Sequence, residues 1–525
     1  VTRLVRSTLV VAMLAAVPGC VSGGGFDLAP AYHRTALVVP ESWHGASPFA
    51  VAQPADDAPR TAWWTAFGDP VLDALETQAT EANPDLEAAA ERFVQSRARM
   101  MEVRSQLLPQ IGAAGGISDN RQSDQRLFRP STIDHEATLS LGALASWEPD
   151  LWDEIRNASR MEIFHAQSMA AEYANARLSM QAELADDYFT LRGLDAEIAI
   201  YTQTITYYQQ SLTVVSTQYQ GQLASSLDVA RAQFQVSSAQ ATRIDLVARR
   251  EVTEHAIAAL VNQSASTFHV DPVDQLNVPT LAVPSVVPSE LLERRPDIAA
   301  REREMAEANR SIGIAIAAFF PHVSLGGLLG LEGDPTTFFQ LGNGFWSYGS
   351  VVSIPIFDGG LRRAQLQHTW SSYRETEDHY RSTVLDAFRD VEDGLTNTRW
   401  LALALEQRRQ ATEAAQTAQQ LSTELFRGGL ASSLELIYSQ VNTLDSRVAV
   451  VELTANLLRS VVALIRSLGG GWSAHDLPSE DSIEPFDPFQ FWDLDRPRPT
   501  GGIDVDIEHR HVDLVSPTAS AVAPP

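Results

Sequence analysis

The chain contains no lysine: all 39 of its basic residues are arginine. Against 66 acidic residues they leave a formal net charge of −27. Nucleic-acid binding needs a basic surface that displaces phosphate counterions, so a nucleic-acid partner is excluded. Cysteine is nearly absent as well. Cys20 is the only one, which leaves no disulfide within the chain and no metal site built from cysteines. Beyond the first twenty residues no run of 18 or more apolar residues occurs, so no membrane-spanning helix is expected. The twelve histidines are scattered without ligand spacing, and His509-Arg510-His511 falls in a polar terminal stretch. With no nucleophile elbow and no phosphate-binding loop, nothing in the chain points to an enzyme, a cofactor or a resident metal.

What the chain does have, it has twice. Asn83-Pro84-Asp85-Leu86 returns as Arg295-Pro296-Asp297-Ile298, and each copy runs 25 residues to a second proline, Pro109 or Pro321. Pro149 and Pro355 match too. Leu223-Ala224-Ser225-Ser226-Leu227-Asp228-Val229 returns as Leu430-Ala431-Ser432-Ser433-Leu434-Glu435-Leu436. A period of roughly 210 residues far exceeds the 20–50 of a solenoid unit and marks a duplicated half-molecule.

Each half reads as helix, strand pair, helix. Met180, Leu184, Tyr188, Leu191, Leu194 and Ile198 step by threes and fours through the first half. Tyr380, Val384, Phe388, Val391 and Leu395 do so in the second, the pattern of a coiled-coil seam. No proline interrupts Asp153–Tyr219 or Gly359–Arg427. At 1.5 Å per residue each run predicts a helix of about 100 Å. A turn and a returning helix follow, over about Ser226–Asn262 and Ser433–Leu468, giving two long hairpins. Between the helices, Ile111–Ile117, Ala137–Trp147, Val323–Leu331 and Trp346–Ile356 read as strands with apolar residues at every second place. That alternation fits a membrane barrel and a half-buried soluble sheet alike. The loops Ser118–Glu136 and Glu332–Phe345 are long and polar. Pro109, Pro321, Pro149 and Pro355 fall where helix and strand meet, a structural place for a residue without an N–H.

The two ends differ from the body. Arg3 and Arg6 precede the apolar run Thr8–Val17, and Val17-Pro18-Gly19-Cys20 follows. This is the pattern of an export signal over 1–19 with Cys20 lipidated. Pro18 departs from the usual small residue, and an ordinary signal with an incidental cysteine is the other reading. Val21, which follows, is not an acidic retention signal, so the outer membrane is the expected destination. Ser473–Pro525 holds eleven acidic residues against three arginines, with many prolines, and reads as a disordered acidic tail. The expected division is therefore 1–19 signal, 20–70 lipidated segment, 71–268 first repeat, 269–289 linker, 290–472 second repeat and 473–525 tail. The strands fall at about 109–118, 137–148, 321–331 and 346–356.

Several segments share their order and spacing with one family. They are Trp63-Trp64-Thr65-Ala66-Phe67-Gly68-Asp69-Pro70, the Asn-Pro-Asp-Leu at 83–86, and Tyr219 with Leu223–Ala232. Arg294-Arg295-Pro296-Asp297-Ile298, Pro355-Ile356-Phe357-Asp358-Gly359-Gly360 and Leu468-Gly469-Gly470-Gly471-Trp472 complete the set. From about Tyr32 to Trp472 the chain resembles the TolC/NodT-type outer-membrane factors, lipoprotein exit ducts of efflux and type I secretion systems. It departs from their pattern at Gln222, where a turn glycine is usual and Gly221 comes one place early. Leu28–Tyr32 matches the family's opening motif loosely.

The resemblance implies a mainly α fold with a membrane β-barrel part. In a homotrimer, long hairpins would form an α-barrel in the periplasm and four strands per chain a shared twelve-stranded β-barrel in the outer membrane. Closure also requires it, because four strands cannot close a barrel and open edges cannot be left in lipid. Ser225/Ser226 and Ser432/Ser433 stand where N-caps of the returning helices belong, which accounts for the turn motif structurally. By resemblance the same turns would dock a periplasmic adaptor (a membrane fusion protein) through Gly221, Leu223, Ser225, Gly428, Gly429, Leu430 and Ser432. Glu424, Leu430 and Glu435 would ring a pore gate. An inner-membrane transporter would drive export, and outer-membrane lipid would surround the barrel. The rival readings are a soluble periplasmic coiled-coil scaffold lipoprotein and an enzyme anchored by Cys20.

Overall fold

A computed structural model describes residues 25–35, 37, 39–40, 43, 62–121, 123, 136–277 and 288–479. The export signal, Cys20, most of the loop at 118–136, residues 278–287 of the linker and residues 480–525 of the acidic tail lie outside them. The first repeat comprises α1 (Pro70–Ala82), α2 (Pro84–Ser105), β1 (Gln110–Asn120), β2 (Glu136–Trp147), α3 (Glu154–Gln220) and α4 (Ser226–Leu260). The second comprises α5 (Pro288–Arg294), α6 (Pro296–Ala317), β3 (His322–Gly333), β4 (Gly344–Ser353), α7 (Leu361–Arg427) and α8 (Ser433–Ser467). The duplication holds to the residue: α2 and α6 are 22 residues long, α3 and α7 are 67, and α4 and α8 are 35.

The ends of these helices follow from their sequences. Asn83 caps α2, accepting from the N–H groups of Asp85 and Leu86 at 3.0 and 3.1 Å, with Pro84 next to it. Asp150 accepts from Ile155 and Arg156 at the head of α3, and Asp358 from Gly360 and Arg362 at the head of α7. In both cases a carboxylate meets the positive end of a helix about 100 Å long.

The core sits midway along the hairpins. Leu184, Tyr188 and Leu191 of α3, Val384 and Val391 of α7, and Leu458, Val461 and Leu464 of α8 are buried there together, closed by Leu72 and Ile257. Burying each such side chain contributes about 1.5–3 kcal/mol. Contrary to the expectation from composition, α8 is long and apolar enough to cross a membrane. Its packing on α3 and α7 explains that apolarity.

The four strands form one antiparallel sheet in the order β1-β2-β3-β4. β4 ends at Ser353 rather than at Ile356, because Pro355 has no N–H to continue the ladder. A strap, residues 25–35, runs from the lower edge of this sheet along the helices. The Phe26 N–H donates to the Leu151 carbonyl at 2.9 Å, and Asp27 pairs with Arg160 and Arg310 at 3.1 Å. The strap passes so close to Gly313 that a Cβ there would lie 2.8 Å from Ala29. Further along, the Tyr32 hydroxyl donates to Glu302 and Arg34 to the Tyr380 hydroxyl.

Candidate functional site

The register of the sheet decides what its faces are. Ile111 pairs with Ala145, Ile117 with Leu139, Ala143 with Leu329, and Leu329 with Trp346. Directly paired residues share a face. One face therefore carries Ile111, Ile117, Leu139, Leu141, Trp147, Leu325, Leu329, Trp346, Tyr348 and Val352. The other carries mostly small residues, Gly112, Gly116, Thr138, Ser140, Gly142, Ser146, Ser324, Gly326, Ser347 and Gly349, together with Leu144, Leu328, Phe345 and Val351. Trp346 and Tyr348 stack at 5.5 Å near the loop end. At the helix end the Trp147 indole donates to the Leu107 carbonyl and the Trp152 indole to the Pro321 carbonyl. Among the described residues no long helix packs on either face, and Ile111, Ile117, Leu329, Trp346 and Tyr348 are exposed. A soluble half-buried sheet would hide such a face. Strands of 10–12 residues with aromatics at both ends match the thickness of a bilayer.

The hairpin tips form the second locus. In the first, the Leu223 N–H donates to the Gln218 carbonyl at 2.8 Å; in the second, the Leu430 N–H donates to Leu425 at 2.8 Å. Both are Schellman turns, which need a left-handed residue just after the helix. That residue is Gly429, with φ +72°, in one tip and Gln222, with φ +60°, in the other. Gly428 has φ −77°, so only the second glycine of the Gly428-Gly429 pair is required by the backbone. Gly221 likewise has negative φ.

Ser225 and Ser432 cap the returning helices, accepting from the N–H groups of Asp228 and Glu435. The Asp228 carboxylate also accepts from the Ser225 N–H, and from the Ser433 hydroxyl of the other tip. The hydroxyls of Ser433 and Ser225 hold the Asp228 carboxyl below its ordinary pKa. Val215, Phe426 and Leu436 form a small core beneath the tips. Outside it, Leu223 and Leu430 are 84% and 80% exposed. Gly221, Leu223, Ser225, Gly428, Gly429, Leu430 and Ser432 thus lie together on two adjoining turns. Glu424 and Glu435 flank the second turn and are exposed with Leu430.

One constellation escaped the sequence reading. Asp195 accepts from Arg250 at 2.6 Å and from Arg192 at 3.1 Å, and Arg250 also donates to Glu254 at 3.0 Å. Arg250 donates to the Val270 carbonyl and Arg192 to the Asp271 carbonyl, both at 2.6 Å, while the Val270 N–H donates to Glu254 at 2.7 Å. All four side chains are buried. They clamp the chain after α4 onto the hairpin. The signal for it was present as charges three and four residues apart on otherwise apolar helix faces, a pattern that usually marks a solvated surface.

An apolar belt with open edges, joined to helical hairpins about 100 Å long, defines a component of a membrane-spanning duct. Comparison with known proteins gives the family. The model of the outer membrane efflux protein family matches residues 75–263 and 287–470, and the chain belongs to it. It is 29% identical to the pyoverdine export outer membrane protein OpmQ of Pseudomonas aeruginosa, over 88% of this chain and 97% of that protein. It is 27% identical to the cation efflux system protein CusC of Escherichia coli, over 87% and 98%. Among solved structures it superposes on the outer-membrane channel OprN with a TM-score of 0.77 at 28% identity, covering 85% of this chain and 99% of that one. The CmeC outer membrane channel of Campylobacter jejuni shares the fold, with a TM-score of 0.78 at 21% identity over 85% and 96%. The protein is an efflux channel of the outer membrane, and the soluble scaffold is set aside.

Proposed function

We propose that three copies of this chain form the passive, gated exit duct of a tripartite export system. The observation that carries the reading is the four-stranded sheet with an exposed apolar face, a second face of mostly small residues and two unpaired edges, β1 and β4. In lipid each unpaired backbone group costs several kcal/mol, so the edges must find partners, and twelve strands from three copies suffice to close a barrel. The long hairpins continue that barrel as a helical tunnel in the periplasm. The chain performs no reaction; an inner-membrane transporter supplies the energy.

The tips receive a periplasmic adaptor. Leu223 and Leu430 are its anchors, at equivalent places on adjoining turns, and Gly221, Ser225, Gly428, Gly429 and Ser432 set the shape around them. Around the threefold axis, Glu424, Leu430 and Glu435 narrow the pore and favour cations at its entrance. Cargo belongs to the small molecules, since relatives are named for the export of pyoverdine and of cations. Cys20 is the lipid anchor. It precedes Gly25 by five residues, a reach of about 17 Å, and Gly25 lies against Asp150 at the lower edge of the sheet.

Washing isolated envelopes with alkali tests the reading. The protein stays in the outer membrane, and so does Cys20→Ala, which no longer takes up a fatty-acid label. Release of the unlabelled variant by alkali would show that the strands do not form a barrel.

A further inference from the structure

We propose that three arginines in the groove between α3 and α6 hold residues 480–484, the acidic start of this chain's own tail. The groove lies within one copy, so the inference does not depend on the trimer.

The course of the chain after α8 leads to the groove. Trp472 packs against Ala171 of α3 and Ala299 and Ala300 of α6. Ser473 then starts a short turn, its hydroxyl accepting from the His475 N–H at 3.3 Å and its own N–H donating to Asp476 at 3.1 Å. Leu477 packs between that cluster and the one that α2 makes with α3, where Phe93, Met100 and Ile163 are buried. Residues 473–479 therefore belong to the folded body, against the expectation of a tail from Ser473 onward. The Gln167 amide donates to the Pro478 carbonyl at 3.0 Å. From Ala171 to Gln167 the chain has climbed one turn of α3 towards the sheet.

Gln167 is also the lip of a cavity of about 550 Å³, lined further by Arg160 and Phe164 of α3, Arg303 and Arg310 of α6 and Asp27 of the strap. Arg160 and Arg310 share the Asp27 carboxylate, each at 3.1 Å, and the next acid on Arg160, Asp153, stands off at 4.0 Å. The Arg303 guanidinium lies over the Phe164 ring, 6.0 Å from its centroid, with its Nε 3.1 Å from Glu302. In the cavity wall three positive groups thus meet one carboxylate. That is a local reversal of sign in a chain of net charge −27.

The residues that follow Ser479 are Glu480, Asp481, Ser482, Ile483 and Glu484, three carboxylates in five. Along α3, Gln167 and Arg160 are seven residues apart, about 10 Å. Three extended residues, from Pro478 to Asp481, cover about 10 Å as well. Glu480 then comes to Arg303 first, and Asp481 reaches Arg160 and Arg310 beyond it. Guanidinium forks take carboxylates in two parallel hydrogen bonds, and partly enclosed pairs are screened by salt less than exposed ones. The strap enters this groove from the sheet and the tail from the opposite end, so Asp27 and the tail carboxylates flank the same guanidinium groups. A lipid phosphate has the chemistry to use these arginines too. The chain's arrival at the lip of the cavity, with its acids next in sequence, favours the tail.

A photocrosslink tests the docking. In the full chain purified in mild detergent, Ser482→p-benzoylphenylalanine links on irradiation to residues 160–167 or 303–310 of the same chain, read by peptide mass spectrometry. Glu480→Gln, Asp481→Gln and Glu484→Gln together lower that link about tenfold, and so does Arg303→Gln. The tail substitutions lie beyond the packed residues, so they carry the test even if Arg303→Gln folds poorly. An absent link, links spread over the surface, or a link indifferent to the charge of the tail would overturn the proposal. So would phosphatidylglycerol that stays bound in native mass spectrometry, is lost on Arg303→Gln and is kept when the tail is neutralised, which would give the arginines to a lipid headgroup.

Discussion

Arg192, Asp195, Arg250 and Glu254 of the first repeat occupy the places that Arg399, Ala402, Leu457 and Val461 take in the second. The backbones are alike, yet one repeat has a buried ionic clamp where the other has buried Leu457 and Val461 and an exposed arginine. The difference follows from what each hairpin must hold. The clamp grips the peptide groups of Val270 and Asp271, which only charged or hydrogen-bonding side chains can satisfy. Leu457 and Val461 lie on α8, which packs on other helices, and there apolar surface is enough. Duplication has kept lengths and ends and let the side chains follow their neighbours. At the 22-residue helices, the Asn83 amide donates to the Leu260 carbonyl, and at the equivalent place Arg295 donates to Ser467. Different donors close the same gap.

The sharpest way to break this comparison is Arg250→Ala. It leaves Asp195 and Glu254 buried without their main partner and costs about 3–5 kcal/mol. Leu457→Ala, at the equivalent place, costs about 2–4 kcal/mol through a cavity alone. Thermal unfolding of the detergent-solubilised protein measures both. Only Arg250→Ala should also expose the chain at 268–277 to proteolysis; equal exposure in the two variants would mean that the clamp holds nothing in particular.

A second contrast is pH-dependent. Glu76 is fully buried and neither carboxylate oxygen has a hydrogen-bond partner; burial, with Asp73 one turn earlier, raises its pKa to about 9. Its folded pKa lies above its unfolded value of 4.5. The stability tied to its neutral form is therefore complete below pH 4.5 and is lost as pH rises towards 9. Glu76→Met removes that dependence. The variant gains on the natural protein as pH increases, by about 2–4 kcal/mol near pH 8, and melting curves at pH 5 and pH 8 check the sign. A gap that narrows with rising pH would contradict the assignment.

The smallest effects belong to the tips. Gly429→Val places a β-branched residue at positive φ and costs roughly 1–2 kcal/mol locally. Gln222→Gly relieves the same conformation in the other tip and changes stability by less than about 1 kcal/mol. Amide exchange of Leu430 and Leu223, whose N–H groups close the two turns, reports each separately. Gly428→Ala should change neither.

The long helices were legible because heptads without proline permit little else, and the alternation marked the strands. The apolar face could not be assigned until the register set Ile117 beside Leu139 and Leu329 beside Trp346, since alternation alone does not say which strands pair. The end of β4 was misread because Ile354 and Ile356 continue the pattern past the proline that breaks the ladder. At the tips the motif marked the turns, but Gly428 and Gly429 are alike in sequence and differ in φ. The clamp was hidden because charged residues one turn apart on a helix belong to solvent far more often than to a core.

The mass of the protein extracted from the outer membrane in mild detergent tests the central claim most directly, because four strands with two open edges cannot stand alone in lipid. Native mass spectrometry should give three chain masses in one particle, with no stable single chain. A homogeneous single-chain particle that remains embedded in the membrane would contradict the account.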